Sequence, residues 1–236
     1  MSSKNVNVVL VHGAWADGSS WAGVIRPLAE AGFAVTAPSL PLTSFSDDVA
    51  ALERTLERLA GPIVLVGHAY AGAVIGAVRS EKVKALVYVA ALVPDEGETV
   101  LDVFTRAAPH PQAPELAPDS HGLIWLPDTA FAGAFAQNAW AEQLAVLAAV
   151  QRPISPACIT VPMDRPSWRD RPSWFLLAEQ DRMIDPQTQA FMATRMGARV
   201  RAHTVDHAPL VTAPYAVMDV ILDAVAVVGQ PEKEAI

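Results

Sequence analysis

The stretch Ile63-Val64-Leu65-Val66-Gly67-His68-Ala69-Tyr70-Ala71-Gly72-Ala73-Val74-Ile75 leaves this chain few folds to choose from. Its four leading apolar residues make a strand buried on both faces, and the small residues that follow allow a very tight turn straight into a helix. The same rhythm recurs on both sides. Val6 to Val11 reads as a strand interrupted only by Asn7, followed by a helix through Trp21, Val24, Ile25, Leu28 and Ala29 to Gly32, with Ser19 or Ser20 as its cap. Phe33 to Ala37 gives the next strand. Ser46, with Asp47 and Asp48 in the first turn, opens a helix whose apolar face is Val49, Leu52, Leu56 and Leu59. Val83 to Leu92 is again a near-continuous apolar strand. The series resumes with a strand at Ser173 to Ala178, a helix from Pro186 to Met196, a strand from Arg199 to Thr204 and a last helix ending near Val228, before a tail, Gly229 to Ile236, polar enough to fray. Strands without polar alternation belong to sheets covered on both faces, so the expected fold class is α/β, a mostly parallel doubly wound sheet of about six core strands.

Between Pro94 and Pro172 the rhythm breaks. This stretch holds many of the 19 prolines, the isolated histidines His110 and His121, and one convincing helix from about Ala136 to Val150. An insertion of that length with its own helix, placed after a central strand, reads as a cap over the sheet. The expected division is a core of residues 1–93 and 172–236 with a cap of residues 94–171. At 236 residues and 52% hydrophobic, the chain suffices for one well-buried core.

A net charge of −8, with no local cluster of Lys or Arg, repels phosphate backbones and anionic lipid, so nucleic-acid and membrane partners are not expected. The single cysteine, Cys158, forms no internal disulfide and reads as a small buried residue. No apolar run reaches the roughly 18 residues of a membrane span, and Met1 to Asn5 leads into a strand rather than a signal-peptide core. A soluble cytoplasmic protein is expected. No cofactor and no metal site is expected either, and a homodimer stays open because an apolar cap can close its own pocket or a neighbour's.

Three positions stand at strand ends in the order nucleophile, acid, base: Ala69, Asp181 and His207. Asp181 follows the strand at Ser173 to Ala178 and His207 follows the strand at Arg199 to Thr204, so both reach the same rim of the sheet. Three competitors have simpler roles. Asp185 precedes Pro186 and suits a helix N-cap, Asp206 is the chain neighbour of the base and suits a loop carboxylate, and His203 lies within a strand. Acyl transfer also needs two preplaced donors for the developing oxyanion, worth roughly 3 to 4 kcal/mol apiece. The backbone N–H groups of Tyr70, just after the nucleophile position, and of Ala14, in the loop His12-Gly13-Ala14-Trp15, are assigned to it. Trp15, Trp125, Phe131, Phe135 and Trp140 are candidates for an apolar substrate pocket.

Val11-His12-Gly13-Ala14-Trp15, the turn Gly67-His68-Ala69-Tyr70-Ala71-Gly72, Ala178-Glu179-Gln180-Asp181 and Val205-Asp206-His207 together resemble the α/β-hydrolase superfamily, in particular the branch of small plant methylesterases, hydroxynitrile lyases and bacterial esterase-like relatives. By contrast, Gly67 to Gly72 lacks the Lys-Ser/Thr of a phosphate loop. Ala71 stands in place of the second glycine of G-x-S-x-G, a site that mainly demands a small side chain. Ala69 stands in place of the nucleophilic serine itself. The resemblance implies a serine-type hydrolase of a small hydrophobic carboxylic ester or lactone, acting through an acyl-enzyme, with Ala69 an introduced inactivating change. Two other readings remain: a His207–Asp181 base that performs lyase or cofactor-free oxygenase chemistry without a nucleophile, and a non-enzymatic ligand binder. The hydroxynitrile-lyase version is disfavoured, because those enzymes carry a lysine and a threonine where this chain has Ala208 and Gly13.

Overall fold

The computed structural model describes residues 6–229, so most of the polar tail lies outside the described residues. Six strands form one sheet: β1 (Asn7–Val11), β2 (Ala34–Thr36), β3 (Ile63–His68), β4 (Val83–Val89), β5 (Ser173–Ala178) and β6 (Arg199–His203), in the order β2-β1-β3-β4-β5-β6. Every pairing is parallel. The interior strands β1, β3, β4 and β5 are almost wholly buried, whereas the edge strand β6 carries Arg199 and Arg201 outward, where charge discourages pairing with another chain.

Helices cover both faces. α9 (Pro214–Val228) lies over β3, β4 and β5 and against α1 (Ala22–Glu30). α3 (Ala71–Ala77) lies on β3 and β4 and against α2 (Phe45–Glu57), and α7 (Pro186–Arg195) packs on β5. None of the described helices is long and apolar enough to cross a membrane.

Several boundaries differ from the sequence expectation. β4 stops at Val89 because Ala90 turns the chain at φ +44°. α2 is capped by Ser44, whose hydroxyl accepts from Asp47 N–H, rather than by Ser46. Asp17, not Ser19 or Ser20, caps the single 3₁₀ turn that precedes α1. In the segment 94–171, the helix expected from Ala136 begins only at Ala141 and runs to Val150 as α6, since Ala136 is non-helical and Trp140 is extended. The remainder is short: α4 (Val100–Phe104), α5 (Asp128–Ala130), a π turn over Phe131–Phe135 and two-residue bridges such as Ile124 with Ile154.

Candidate active site

Parallel strands all point the same way, so the loops after β1, β3, β5 and β6 gather at one edge of the sheet. Ala69 sits between β3 and α3 at φ +50°, a conformation that costs a side-chain-bearing residue on the order of 1–2 kcal/mol. What enforces it is crowding. A Cβ on Gly67 would come within 2.8 Å of the Ala71 carbonyl oxygen, and one on Gly72 within 2.5 Å of the Leu92 carbonyl oxygen. The loop after β1 presses on the same turn: a Cβ on Gly13 would stand 3.0 Å from the Ala69 Cβ.

Asp181 and His207 meet. His207 Nδ1 donates to Asp181 Oδ2 at 2.8 Å, with both side chains almost fully buried. Asp181 is held as an acceptor by three further donors: Met183 N–H and Ile184 N–H on Oδ1, and the Gln189 amide on Oδ2. With Nδ1 committed to the carboxylate, Nε2 of His207 is the nitrogen left for a substrate. The three competitors have separate occupations. Asp185 caps α7, accepting from Gln187 N–H and Thr188 N–H. Asp206 accepts from Asn138 N–H and the Thr212 hydroxyl, and His203 lies at the end of β6.

Two histidines that the sequence reading placed in the loop and the turn, without a role of their own, frame this pair. His68 Nε2 donates to the His207 carbonyl at 2.7 Å, tying the residue before the turn to the loop that carries His207. Complete burial, aided by the neighbouring His207, lowers its pKa to about 3, so it stays neutral. His12 accepts from Leu40 N–H through Nε2, which leaves Nδ1–H to donate to the Gly13 carbonyl at 2.8 Å. Burial lowers its pKa as well. The imidazole thereby fixes the loop that carries Ala14.

The N–H groups of Ala14 and Tyr70 meet no acceptor among the described residues. Both residues border a cavity of about 710 Å³ that also receives Ala69, Trp15 and His207. Its walls are mostly apolar and come largely from the segment 94–171, including Val100, Phe104, Leu116, Ile124 and Ile159. Trp15, at φ +58°, donates its indole N–H to the Ile124 carbonyl and so joins the loop to that segment.

Of the other aromatics expected around the pocket, none lines this cavity. Phe131 and Phe135 are each 1% exposed and pack into the core, Phe135 standing edge-on with its centroid 5.1 Å from that of His207. Trp125 and Trp140 turn outward, 45% and 75% exposed, and Trp125 donates to Asp119. The pocket wall is mostly aliphatic, with Phe104 its one phenylalanine among the described residues, because α4 and the Ile124–Ile154 bridge, not the π turn, reach over the sheet edge.

Asp48 stands in the first turn of α2 as expected, but it is not a surface charge. Asp48 is completely buried and accepts from the Tyr70 hydroxyl at 2.7 Å and from Leu42 N–H at 2.7 Å. The signal was present in the spacing, since Asp48, Leu52 and Leu56 recur every four residues on the buried stripe of α2.

Comparison with known proteins agrees with this architecture. Over 118 residues the chain is 31% identical to a carbendazim hydrolyzing esterase of Nocardioides sp. (strain SG-4G), a match covering 44% of this chain and about half, 49%, of that relative. Polyneuridine aldehyde esterase superposes with a TM-score of 0.81 at 20% identity, over 92% of this chain and 98% of that one. A variant of tomato methylketone synthase I complexed with beta-ketoheptanoate gives 0.81 at 19%, over 94% and 98%. At such identities the likeness is one of fold. The model of the alpha/beta hydrolase family, however, matches residues 8–220, and the chain belongs to that family.

Proposed function

We propose that this is the acyl-transfer site of a carboxylic-ester hydrolase in which Ala69 occupies the nucleophile position. The observation that carries it is the buried Asp181–His207 pair, oriented at 2.8 Å and bordering the same cavity as Ala69. A buried pair of this kind is costly to hold without a task. With a serine at position 69, its oxygen attacks the ester carbonyl while His207 Nε2 takes the hydroxyl proton. The carbonyl oxygen, now negative, lies against the N–H groups of Ala14 and Tyr70. His207 then returns the proton to the departing alkoxide, the C–O bond breaks, and water repeats the sequence on the acyl-enzyme. Asp181 holds the imidazole in the required tautomer and stabilises its positive charge.

As the chain stands, no oxygen is present to attack. Loss of a nucleophile leaves turnover lower by on the order of 10⁴ to 10⁶. The mostly apolar cavity of about 710 Å³ favours an ester with a sizeable hydrophobic acyl or alcohol part. The carbendazim hydrolyzing esterase is a relative whose name fits that chemistry. Residues 94–171 act in this proposal as the lid that keeps water from the acyl-enzyme. Ala69→Ser tests it: hydrolysis of p-nitrophenyl butyrate and octanoate should rise at least a hundredfold over the unaltered chain. Turnover indistinguishable from background rejects it.

Ala69 itself favours a second reading, in which His207 and the two N–H donors work without a nucleophile. The methylketone synthase variant with beta-ketoheptanoate bound shows a β-keto acid held on this fold in that protein. Here a β-keto acid would lose CO₂ as its C–C bond breaks, the electron pair passing into an enolate held by Ala14 N–H and Tyr70 N–H. A proton delivered through His207 completes the ketone. Ketone release from beta-ketoheptanoate by the unaltered chain, abolished in His207→Ala, is the expected result; release at the uncatalysed rate excludes it.

A further inference from the structure

The chemistry above makes no use of the buried carboxylate of Asp48. As a helix feature it is redundant, because Ser44 already caps α2 and Asp47 already supplies first-turn charge at the surface. Holding a carboxylate away from water is costly unless its oxygens are well occupied. Burial pushes the Asp48 carboxyl above its ordinary range, opposed by the donors around it. Those donors come from three separated parts of the chain: Leu42 N–H on Oδ1, the Tyr70 hydroxyl on Oδ2, and the Cys158 thiol at 3.6 Å from Oδ2.

Tyr70 is the informative one. Its N–H belongs to the same planar peptide as the Ala69 carbonyl, and in a trans peptide the two point in opposite directions. That carbonyl is clamped by two donors, Gly72 N–H and Leu92 N–H, each at 3.0 Å. The N–H on the other side meets no acceptor among the described residues and belongs to a residue bordering the cavity. One end of the peptide is therefore fixed by the clamp. The other end is fixed at the Cα of Tyr70, a residue that is 3% exposed and whose hydroxyl is pinned by Asp48. The neighbouring Ala69, at φ +50°, has no such side-chain anchor of its own.

We infer that Asp48 is a positioning residue for the oxyanion donor: through the Tyr70 hydroxyl it holds the Tyr70 N–H at the angle a developing oxyanion needs. This rests on the acyl-transfer reading of the site. It assigns Asp48 and the Tyr70 phenol a role in turnover rather than in substrate affinity.

The test is a double-mutant cycle in the Ala69→Ser background, with Tyr70→Phe, Asp48→Asn and the two combined, assayed on p-nitrophenyl butyrate. Tyr70→Phe removes one oxygen and keeps the ring. Complete loss of an oxyanion donor costs about 10² to 10³ in kcat, so misorientation of one should cost about tenfold. The expected result is that fall in kcat for each single variant with KM within twofold, and a double variant no worse than the poorer single, because both cut one link. Unchanged kcat, a loss confined to KM, or effects that multiply overturn the inference. Should Asp48→Asn unfold below the assay temperature, Tyr70→Phe alone decides. If Ala69→Ser hydrolyses no ester, the acyl-transfer reading falls, and the positioning is then read in the unaltered chain with octanoate as a carboxylate probe. Titration followed at the amide ¹⁵N–¹H resonance of position 70 should give a Kd about tenfold weaker in Tyr70→Phe; an equal Kd overturns the inference.

Discussion

His68 shows how a residue can brace a site without bordering its cavity. Its imidazole is fully buried, donates to the His207 carbonyl, and holds a pKa of about 3 because burial disfavours the charged form. In the unfolded chain the same ring titrates at its ordinary value of 6.5. As pH falls from about 6.5 toward 3, the unfolded state binds a proton that the folded state refuses. Stability contributed above that window is thus lost within it, at about 1.4 kcal/mol per pH unit. His12 acts in the same sense, whereas the raised carboxyl of Asp48 acts in the opposite one. Comparison with His68→Gln isolates the term, since a glutamine amide can still donate to the His207 carbonyl without titrating. The stability advantage of the unaltered chain, measured by urea unfolding, should shrink by about 1.4 kcal/mol per unit between pH 6 and pH 4. Parallel curves for the two proteins would show that His68 is protonated in the fold. Residues of this kind are hard to read from sequence. The meeting of Asp181 with His207 was legible because strand ends and chain order restrict it, and the burial of Asp48 was legible in its spacing with Leu52 and Leu56; the contacts of His68 and Asp48, made across 139 and 22 positions, are announced by no local pattern.

At the scale of elements, the turn between β3 and α3 is shaped by what its neighbours leave no room for. Gly72 is the tightest point, where a Cβ would approach the Leu92 carbonyl oxygen to 2.5 Å and the Ala91 Cβ to 2.8 Å. Both obstacles are close to the backbone and cannot swing aside. Gly72→Ala should therefore push α3 off the end of β4 at a cost of about 1–3 kcal/mol, measured as a lowered urea midpoint with an unchanged m-value. Because Leu92 N–H also clamps the Ala69 carbonyl, activity restored by Ala69→Ser should fall in the same variant even below the temperature at which it unfolds. A midpoint within 0.3 kcal/mol of the parent would show that the approach is relieved elsewhere. Small residues in this run were readable as a tight turn, and the interior strands were readable from their near-continuous apolar character. What sequence misjudged were ends: β4 closes at a positive-φ alanine rather than at a change of polarity, and α6 begins where an extended Trp140 allows it. Backbone conformation, unlike hydrophobicity, leaves no mark on the side-chain pattern at those points.

Across the whole molecule, the segment 94–171 is strapped to the loops that carry Asp181 and His207. The Gln137 amide donates to the Gln180 carbonyl, Arg182 to the Gly133 carbonyl, Asn138 N–H to Asp206, and the Gln143 amide to the Val211 carbonyl. The cavity between segment and sheet takes most of its wall from other residues of the same segment, and its size should select among substrates. Position 159 offers a way to change that size from the wall inward. Ile159 borders the cavity, is only partly buried, and its carbonyl accepts from Leu101 N–H, so its backbone is held while its side chain can be enlarged. In the Ala69→Ser background, Ile159→Trp should lower kcat/KM for p-nitrophenyl octanoate at least tenfold and leave p-nitrophenyl acetate within twofold, since the shorter acyl group occupies only the end near Ala69. Equal losses on both esters would mean that the indole had disturbed His207 or the turn, and that the distal cavity is not where the acyl chain lies. The aromatic residues first expected to form this wall could not have guided such an experiment. Phe131 and Phe135 are core and Trp125 and Trp140 are surface, and only the path of the chain over the sheet edge decides which aliphatic side chains replace them.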